Sequence, residues 1–282
     1  MKLIAHSGST KTEWCLVNNG HIVEHVFTDG INPHIQTRRE ISRCVRLQLP
    51  GNYFTRKIEE VIFYGSGCMS EEKQNIVKAS LVSQFRTHTY IYNDLLAAGR
   101  ALFGKREGIA CMLGTGSNSC VYDGEDIIDQ VKSLGYILGD EGSGAALGKM
   151  FISDCLKNLA PQEIMETFYE IYQITDDDIL ERIYEKPFPM RSLSLFSFFL
   201  AELQEHEYVH NLIAENFRNF FRRCIMQYDY KNLPISFIGS IAIRYQEILR
   251  EVAKEFKIDI TEIAQSPMQG LVEYDASLSR EK

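Results

Sequence analysis

The order of apolar runs and glycine-rich turns predicts an α/β protein made of two similar units. Three observations lead there. The chain opens on strand, small-residue loop and strand, MKLIAHSGSTKTEWCLV. The same design returns about one hundred residues later as GIACMLGTGSNSCVYDG. Around both, short apolar runs alternate with segments of helical periodicity.

KLIA, TEWCLV and HIVEHVFT read as strands, the last two joined at the Asn18-Asn19-Gly20 turn signal, so antiparallel hairpins open the chain. Residues 34–48 carry Ile35, Ile41, Val45 and Leu47 near helical spacing. VIFYG then reads as a buried strand, EEKQNIVKASLVSQF as a helix, THTYIYN as a strand, and DLLAAGRAL as a helix beginning at Asp94. After Gly104-Lys105-Arg106 the second strand–loop–strand begins. Helices follow over about 141–157, 161–172, 176–184, 193–204 and 206–229, and the strand PISFIG leads into the amphipathic IAIRYQEILREVAKEF. With no Pro/Ser-rich linker, the division falls at the fold level, into residues 1–104 and 105–266.

At 282 residues, 45% apolar and 24% charged, the composition is that of a globular protein. A net charge of −8 argues against non-specific binding to nucleic acid or to an anionic membrane. The seven cysteines form no CxxC pair, and several stand inside apolar runs, which suits reduced structural thiols in the cytoplasm. Lys2 precedes only three apolar residues before His6, too few for a secretory signal, and no run reaches the ~18 apolar residues of a membrane span. LSLFSFFLAEL has the length of a buried helix. The seven histidines show no HExxH or other paired ligand spacing, so no structural zinc is expected, and His206 and His210 read as helix surface.

Five stretches could carry chemistry. In His6-Ser7-Gly8-Ser9-Thr10-Lys11-Thr12, small residues let backbone N–H groups approach an anion, the hydroxyls of Ser9, Thr10 and Thr12 can donate, and Lys11 adds charge. A plain hairpin turn explains the same residues equally well. Gly114-Thr115-Gly116-Ser117-Asn118 repeats that chemistry, and the coincidence favours two loops holding one polyphosphate. Asp94 starts a helix at the end of a strand, where an N-cap is the plainer reading and a base facing a ligand the sharper one. LGDEGSGAALGK surrounds Asp140 and Glu141 with glycines: either a strained turn into a closely packed helix, or two acceptors for sugar hydroxyls. In SFIGSIA, Gly239-Ser240 opens a helix that could receive a nucleotide or be an ordinary turn.

Taken in order, GTGSN, GDEGS and the C-terminal GS-initiated helix resemble the N-acetylglucosamine kinase-like, BadF/BadG-type branch of the sugar kinase, Hsp70 and actin superfamily. The resemblance covers roughly residues 2–150 and 234–275. It implies two ribonuclease-H-like lobes, each a mixed five-stranded sheet with helices, closing on ATP, with a segment from 267 to 282 returning to the first lobe and a helical insertion in the second. By motif it places Ser9, Thr10 and Lys11 in one phosphate loop, and Gly114, Thr115 and Gly116 in the other. Gly239-Ser240 becomes the adenosine-side turn and Asp94 the base that takes the sugar-hydroxyl proton. Asn32, Ser66, Gly67, Gly135 and Asp140 join Asp94 at positions that touch the sugar. The implied activity is ATP- and Mg²⁺-dependent phosphorylation of an amino sugar, N-acetylglucosamine foremost, to the 6-phosphate, by a cytoplasmic homodimer that binds neither nucleic acid nor membrane.

The chain departs from the family at His6, which stands where relatives place an acid associated with Mg²⁺. Imidazole is a poor partner for a hard, oxygen-seeking ion, and imidazolium would repel it. Two alternatives therefore stand beside the kinase: a BadF/BadG-type ATPase, and a catalytically weakened sugar- or nucleotide-binding protein. The first shares an iron–sulfur cluster between subunits through closely placed cysteines, whereas the cysteines here are scattered.

Overall fold

Residues 1–8 and 10–279 are described, from a computed structural model. The first half runs β1 (Lys2–Ser7), β2 (Lys11–Asn18), β3 (His21–Asp29), α1 (Arg38–Gln48), α2 (Asn52–Thr55), β4 (Glu60–Gly65), α3 (Glu71–Phe85), β5 (His88–Asn93) and α4 (Asp94–Phe103). Next come β6 (Gly108–Leu113), β7 (Ser117–Tyr122), β8 (Ile127–Asp129), α5 (Gly135–Leu138), α6 (Gly144–Leu156), α7 (Gln162–Tyr172), α8 (Asp176–Tyr184) and α9 (Pro189–Phe199). The chain continues through α10 (Glu207–Arg223), β9 (Ile235–Ile238), α11 (Ser240–Arg244), α12 (Gln246–Glu255), β10 (Ile260–Ala264) and α13 (Met268–Ser279).

The chain divides into two compact units, one of residues 1–108, 122–128 and 266 onward, the other of 109–121 and 129–265. In the first, a five-stranded mixed sheet runs β3-β2-β1-β4-β5, with β1, β4 and β5 parallel and the β1–β2–β3 hairpins antiparallel. Alternation along the strands fills both faces. Leu3, Ala5, Trp14, Leu16, Val61 and Phe63 pack with Ile41 and Val45 of α1 and Val77 and Leu81 of α3. Ile4, Cys15, Val17, Ile62 and Tyr64 point the other way, onto Ala97 of α4 and Met268, Leu271 and Val272 of α13.

A second five-stranded sheet runs β10-β9-β6-β7-β8, its strands β10, β9, β6 and β7 belonging chiefly to the second unit. Ile109, Cys111, Leu113 and Phe237 of β6 and β9 meet Phe217, Phe220 and Phe221 of α10 in one core. A neighbouring aromatic group of Phe151, Phe168, Phe196 and Phe199 joins α6, α7 and α9. LSLFSFFLAEL thus lies in a largely buried helix started early by Pro189 at its first turn, but the α-helix ends at Phe199 and Leu200–Leu203 finish in a 3₁₀ turn.

Three boundaries differ from the sequence reading for identifiable reasons. Helix α1 begins at Arg38, because Thr37 and Glu40 form a capping box and the preceding residues are held in a turn on Asn32. The expected helix over 206–229 stops at Arg223 and finishes in a short 3₁₀ turn, Ile225–Gln227. IAIRYQEILREVAKEF breaks at Tyr245, fully buried with its hydroxyl donating to the Ser197 carbonyl, which fixes the backbone outside helical angles. Strands β8 and β10 and the short α2 gave no separate signal. All seven cysteines are free. Among the described residues no helix is long and apolar enough to cross a membrane.

Helix α13 reaches α4 through Gly270, where an added Cβ would lie 2.2 Å from the Ala101 carbonyl oxygen. Alanine gains about 1 kcal/mol in helix propensity over glycine, whereas overpacking costs about 1–3 kcal/mol and a backbone oxygen cannot rotate away. Gly270→Ala should therefore lower the urea midpoint with the slope unchanged; an unchanged or higher midpoint would show that α13 docks otherwise.

Candidate active site

The parallel strands β1, β4 and β5 end on the same edge of the first sheet, where α/β proteins present groups to ligands. Ser7 closes β1 and is fully buried. Its hydroxyl lies 2.8 Å from Thr12 Oγ1 and accepts the Ile31 N–H at 2.8 Å, and its carbonyl accepts the Ser66 N–H at 2.9 Å. One residue thus ties together the first glycine loop, the Asn32 segment and the turn after β4.

Within that loop, Gly8 N–H donates to the Lys11 carbonyl at 3.0 Å. Thr12, read as a possible phosphate donor, is buried instead, its hydroxyl spent on the Asp29 carbonyl at 3.0 Å. Thr10 and Lys11 are exposed, and the Lys11 ammonium rests 4.3 Å from the centre of the Phe27 ring. Ser9 lies outside the described residues. His6 Nε2 is buried without a hydrogen-bond partner among the described residues. Burial, helped by the Lys11 charge, lowers the His6 pKa to about 4, so the ring is neutral near pH 7.

Asp94 is the first residue of α4, but it does not cap the helix. Asn93 does, its Oδ1 accepting the Leu96 N–H at 2.7 Å. The Asp94 carboxylate is left to face the Ser66 hydroxyl and the N–H groups of Asp94 and Leu95, whose hydrogen-bonding pull favours its ionised form. Burial outweighs that pull and lifts its pKa to about 6. Next to Ser66, Gly67 takes φ +78°, and a Cβ there would fall 2.4 Å from Asn32 Oδ1. Asn32, Ser66, Gly67 and Asp94 are therefore one cluster, from positions far apart in the chain.

In the second unit the Gly114–Ser117 loop is built as tightly. Gly114 N–H bonds the Gly116 carbonyl at 2.9 Å, and the first amides of α6, Gly144 and Ala145, donate to the Gly114 and Thr115 carbonyls at 2.9 and 3.1 Å. With its carbonyls turned to the helix, the loop presents the Thr115 and Gly116 amides, which have no acceptor among the described residues. Asp140, at φ +56°, accepts the Ser117 N–H at 3.3 Å and lies within 3.0 Å of where a Gly116 Cβ would be. Burial lifts its pKa to about 6 against the Ser117 bond. Gly239, at φ +125°, lets β9 meet β6, since a Cβ would fall 2.3 Å from the Leu113 carbonyl oxygen. Ser240 is exposed at the start of α11. Gly135 opens α5 at φ +74° with open space beside it, its carbonyl accepting the Gly139 N–H at 2.8 Å.

The strained turn and the closely packed helix of LGDEGSGAALGK are both present. Gly144 and Gly148 press α6 onto α9, Asp140 faces the loop, and Glu141 forms an ion pair with Arg223 at 3.4 Å. Asn216 was missed. Buried on α10, it accepts the Gly142 N–H at 3.0 Å and donates to the Ser143 carbonyl at 3.2 Å, locking the turn; a lone Asn in an amphipathic helix carries no linear signal of that.

No family model and no curated protein matches the chain. Among solved structures it is similar to a provisionally assigned N-acetylglucosamine kinase from Porphyromonas gingivalis, with 43% identity over 98% of this chain and 99% of that one and a TM-score of 0.95. A provisionally assigned N-acetylglucosamine kinase from Chromobacterium violaceum gives a TM-score of 0.74 at 14% identity, covering 97% and 99% of the two chains. A provisionally assigned N-acetylmannosamine kinase from Listeria monocytogenes gives 0.54 at 14%, covering 99% and 100%. The latter two share the fold.

The Asp94 environment has a measurable cost. Its folded pKa of about 6 exceeds its ordinary 3.8, so the folded state binds the proton more tightly than the unfolded one. The penalty on the folded state is complete above about pH 6 and fades as pH falls towards 3.8. Asp94→Asn should stabilise the protein by about 1–3 kcal/mol at pH 8 and by almost nothing at pH 4. Urea melts at both pH values test this; no gain at pH 8, or an equal gain at pH 4, contradicts the assigned burial.

Proposed function

This chain belongs to the N-acetylglucosamine kinase-like branch of the sugar kinase, Hsp70 and actin superfamily, and from that membership we propose that it is an ATP-dependent amino-sugar kinase. N-acetylglucosamine is the proposed acceptor and its 6-phosphate the product. One observation supports this reading above the others. Asp94 is a carboxylate at the strand ends, relieved of capping by Asn93, with a pKa of about 6, beside Ser66, Gly67 and Asn32.

A base of that pKa is largely ionised near neutrality and still takes up a proton readily. In the proposal it orients the acceptor hydroxyl and removes its proton as the phosphoryl group transfers. Asn32, Ser66 and the open backbone at Gly67 hold neighbouring hydroxyls, with Gly135 and Asp140 as further sugar positions. The nucleotide reading draws on Thr10 and Lys11, with Ser9, and on Gly114, Thr115 and Gly116. Gly114 there shapes the loop, while the Thr115 and Gly116 amides donate. Gly239-Ser240 serves the adenosine. Phosphoryl transfer depends mainly on alignment and charge neutralisation, which such loops supply. A cytoplasmic homodimer with no nucleic-acid or membrane partner completes the proposal.

Mg²⁺ fits the first loop poorly. The loop offers the ion a neutral, orphaned imidazole nitrogen and an ammonium, and its hydroxyls at Ser7 and Thr12 are committed. When bound with ATP the ion would neutralise phosphate charge; no step of the proposed proton transfer runs through it. The neutral ring at least does not repel it.

ADP release measured over a panel of amino sugars tests the proposal. Sugar-dependent release should be greatest with N-acetylglucosamine, rise with pH through about 6 as Asp94 ionises, and fall about 10²–10⁴-fold in Asp94→Asn. Full activity in that variant would remove Asp94 from the chemistry. His6→Asp, which gives the loop an oxygen donor, should raise turnover about 10–100-fold; unchanged or reduced turnover with sugar binding intact would show that His6 is no handicap.

A further inference from the structure

The hairpin beside the first loop carries a second constellation. Glu13 and Cys15 stand two apart on β2, so their side chains share a face, and His25 on β3 is the direct cross-strand partner of Cys15. Their ligand-type atoms, one oxygen, one sulfur and one nitrogen, all lie within 4.8 Å of one another. We propose that Glu13, Cys15 and His25 form a binding site for a borderline divalent cation such as Zn²⁺, independent of the nucleotide and sugar chemistry.

The donor set selects the ion. Thiolate, imidazole and one carboxylate suit Zn²⁺, whereas Mg²⁺ and Ca²⁺ take oxygen shells. Three protein ligands leave a fourth position for water. His25 Nε2 and Glu13 Oε1 are 2.9 Å apart. Bonds of about 2.0–2.3 Å in a tetrahedron need ligand atoms roughly 3.3–3.7 Å apart, an adjustment of about an ångström or less. The His25 side chain, 43% exposed, gives access from solvent, and Cys15, fully buried, forms the floor.

The ligands are also oriented from behind. The second Glu13 oxygen accepts the Ser266 hydroxyl, and the His25 ring meets Phe27 edge-on at 4.6 Å between centroids. Burial holds the Cys15 thiol protonated, its pKa pushed up to about 12, so the ion displaces that proton to solvent as the sulfur–metal bond forms. Glu13 faces His6 across the β1–β2 ladder, and Ser266 leads into α13. An occupied site therefore fastens the strand that carries Lys11 to the neighbouring hairpin strand and to the returning chain. Residues 13, 15 and 25 match no ligand spacing, and only the strand register joins them.

Untagged, chelator-treated protein titrated with Co²⁺ tests the site. The expected result is a thiolate-to-metal charge-transfer band in the near ultraviolet that saturates at one equivalent and is abolished by added Zn²⁺. Cys15→Ser should remove the band. His25→Ala, on an exposed edge-strand position that does not threaten folding, should weaken Co²⁺ binding by at least about 10-fold. Absence of the band in the unaltered protein overturns the site, as does its survival in Cys15→Ser or unaltered affinity in His25→Ala. In either of those cases the cluster is an ion pair lying over a buried thiol.

Discussion

The Ser7 hydroxyl sits at the end of β1, out of reach of water, and divides its hydrogen bonds between Thr12 and the backbone of Ile31. A buried hydroxyl without partners would cost roughly 1–3 kcal/mol, so these bonds are difficult to exchange. Through them the first loop, the Asn32 segment and, by the Ser7 carbonyl, the Ser66 turn share one fixed point. The placement of Asp94 against Ser66 follows from it. The proposed catalytic geometry needs its groups held to fractions of an ångström, and Ser7 does that holding with no role proposed for it in the chemistry.

Each unit repeats one electrostatic device. A carboxylate, half-buried at Asp94 and buried at Asp140, sits beside a turn of small residues whose hydrogen-bond donors favour its ionised form, and is nevertheless lifted to a pKa of about 6. In both, burial wins over hydrogen bonding, which places the group near the pH at which proton exchange is useful. The His6 imidazole shows the same balance with the opposite sign, losing its proton rather than keeping it. Removing water from this edge of the sheet thus disfavours charge on both groups: the His6 ring is neutral near pH 7, while Asp94, lifted only to about 6, is still largely ionised there.

Much of this was legible in the sequence because it rests on local chemistry. Apolar runs of strand length gave β1, β4, β5 and β6, and the repeated glycine loops marked the two units. The ambiguity at Asp94 could not be resolved linearly, since Asn93 and Asp94 are both capable caps; only the backbone shows that Asn93 accepts the Leu96 N–H. Thr12 looked like a phosphate donor because exposure cannot be read from a Thr among small residues. Asn216, the break at Tyr245 and the convergence of Glu13, Cys15 and His25 depend on packing and register, which no local pattern encodes. The 43% identity to a solved neighbour over nearly the whole chain supplied the family that individual motifs could only suggest.

The central claim is that an amino-sugar hydroxyl is delivered to Asp94. A crystal structure of the unaltered protein with N-acetylglucosamine tests it most directly. The account predicts one sugar hydroxyl about 2.6–3.2 Å from an Asp94 carboxylate oxygen, with Asn32 and Ser66 bonded to its neighbours. A fully occupied sugar with no hydroxyl in reach of Asp94 would contradict it.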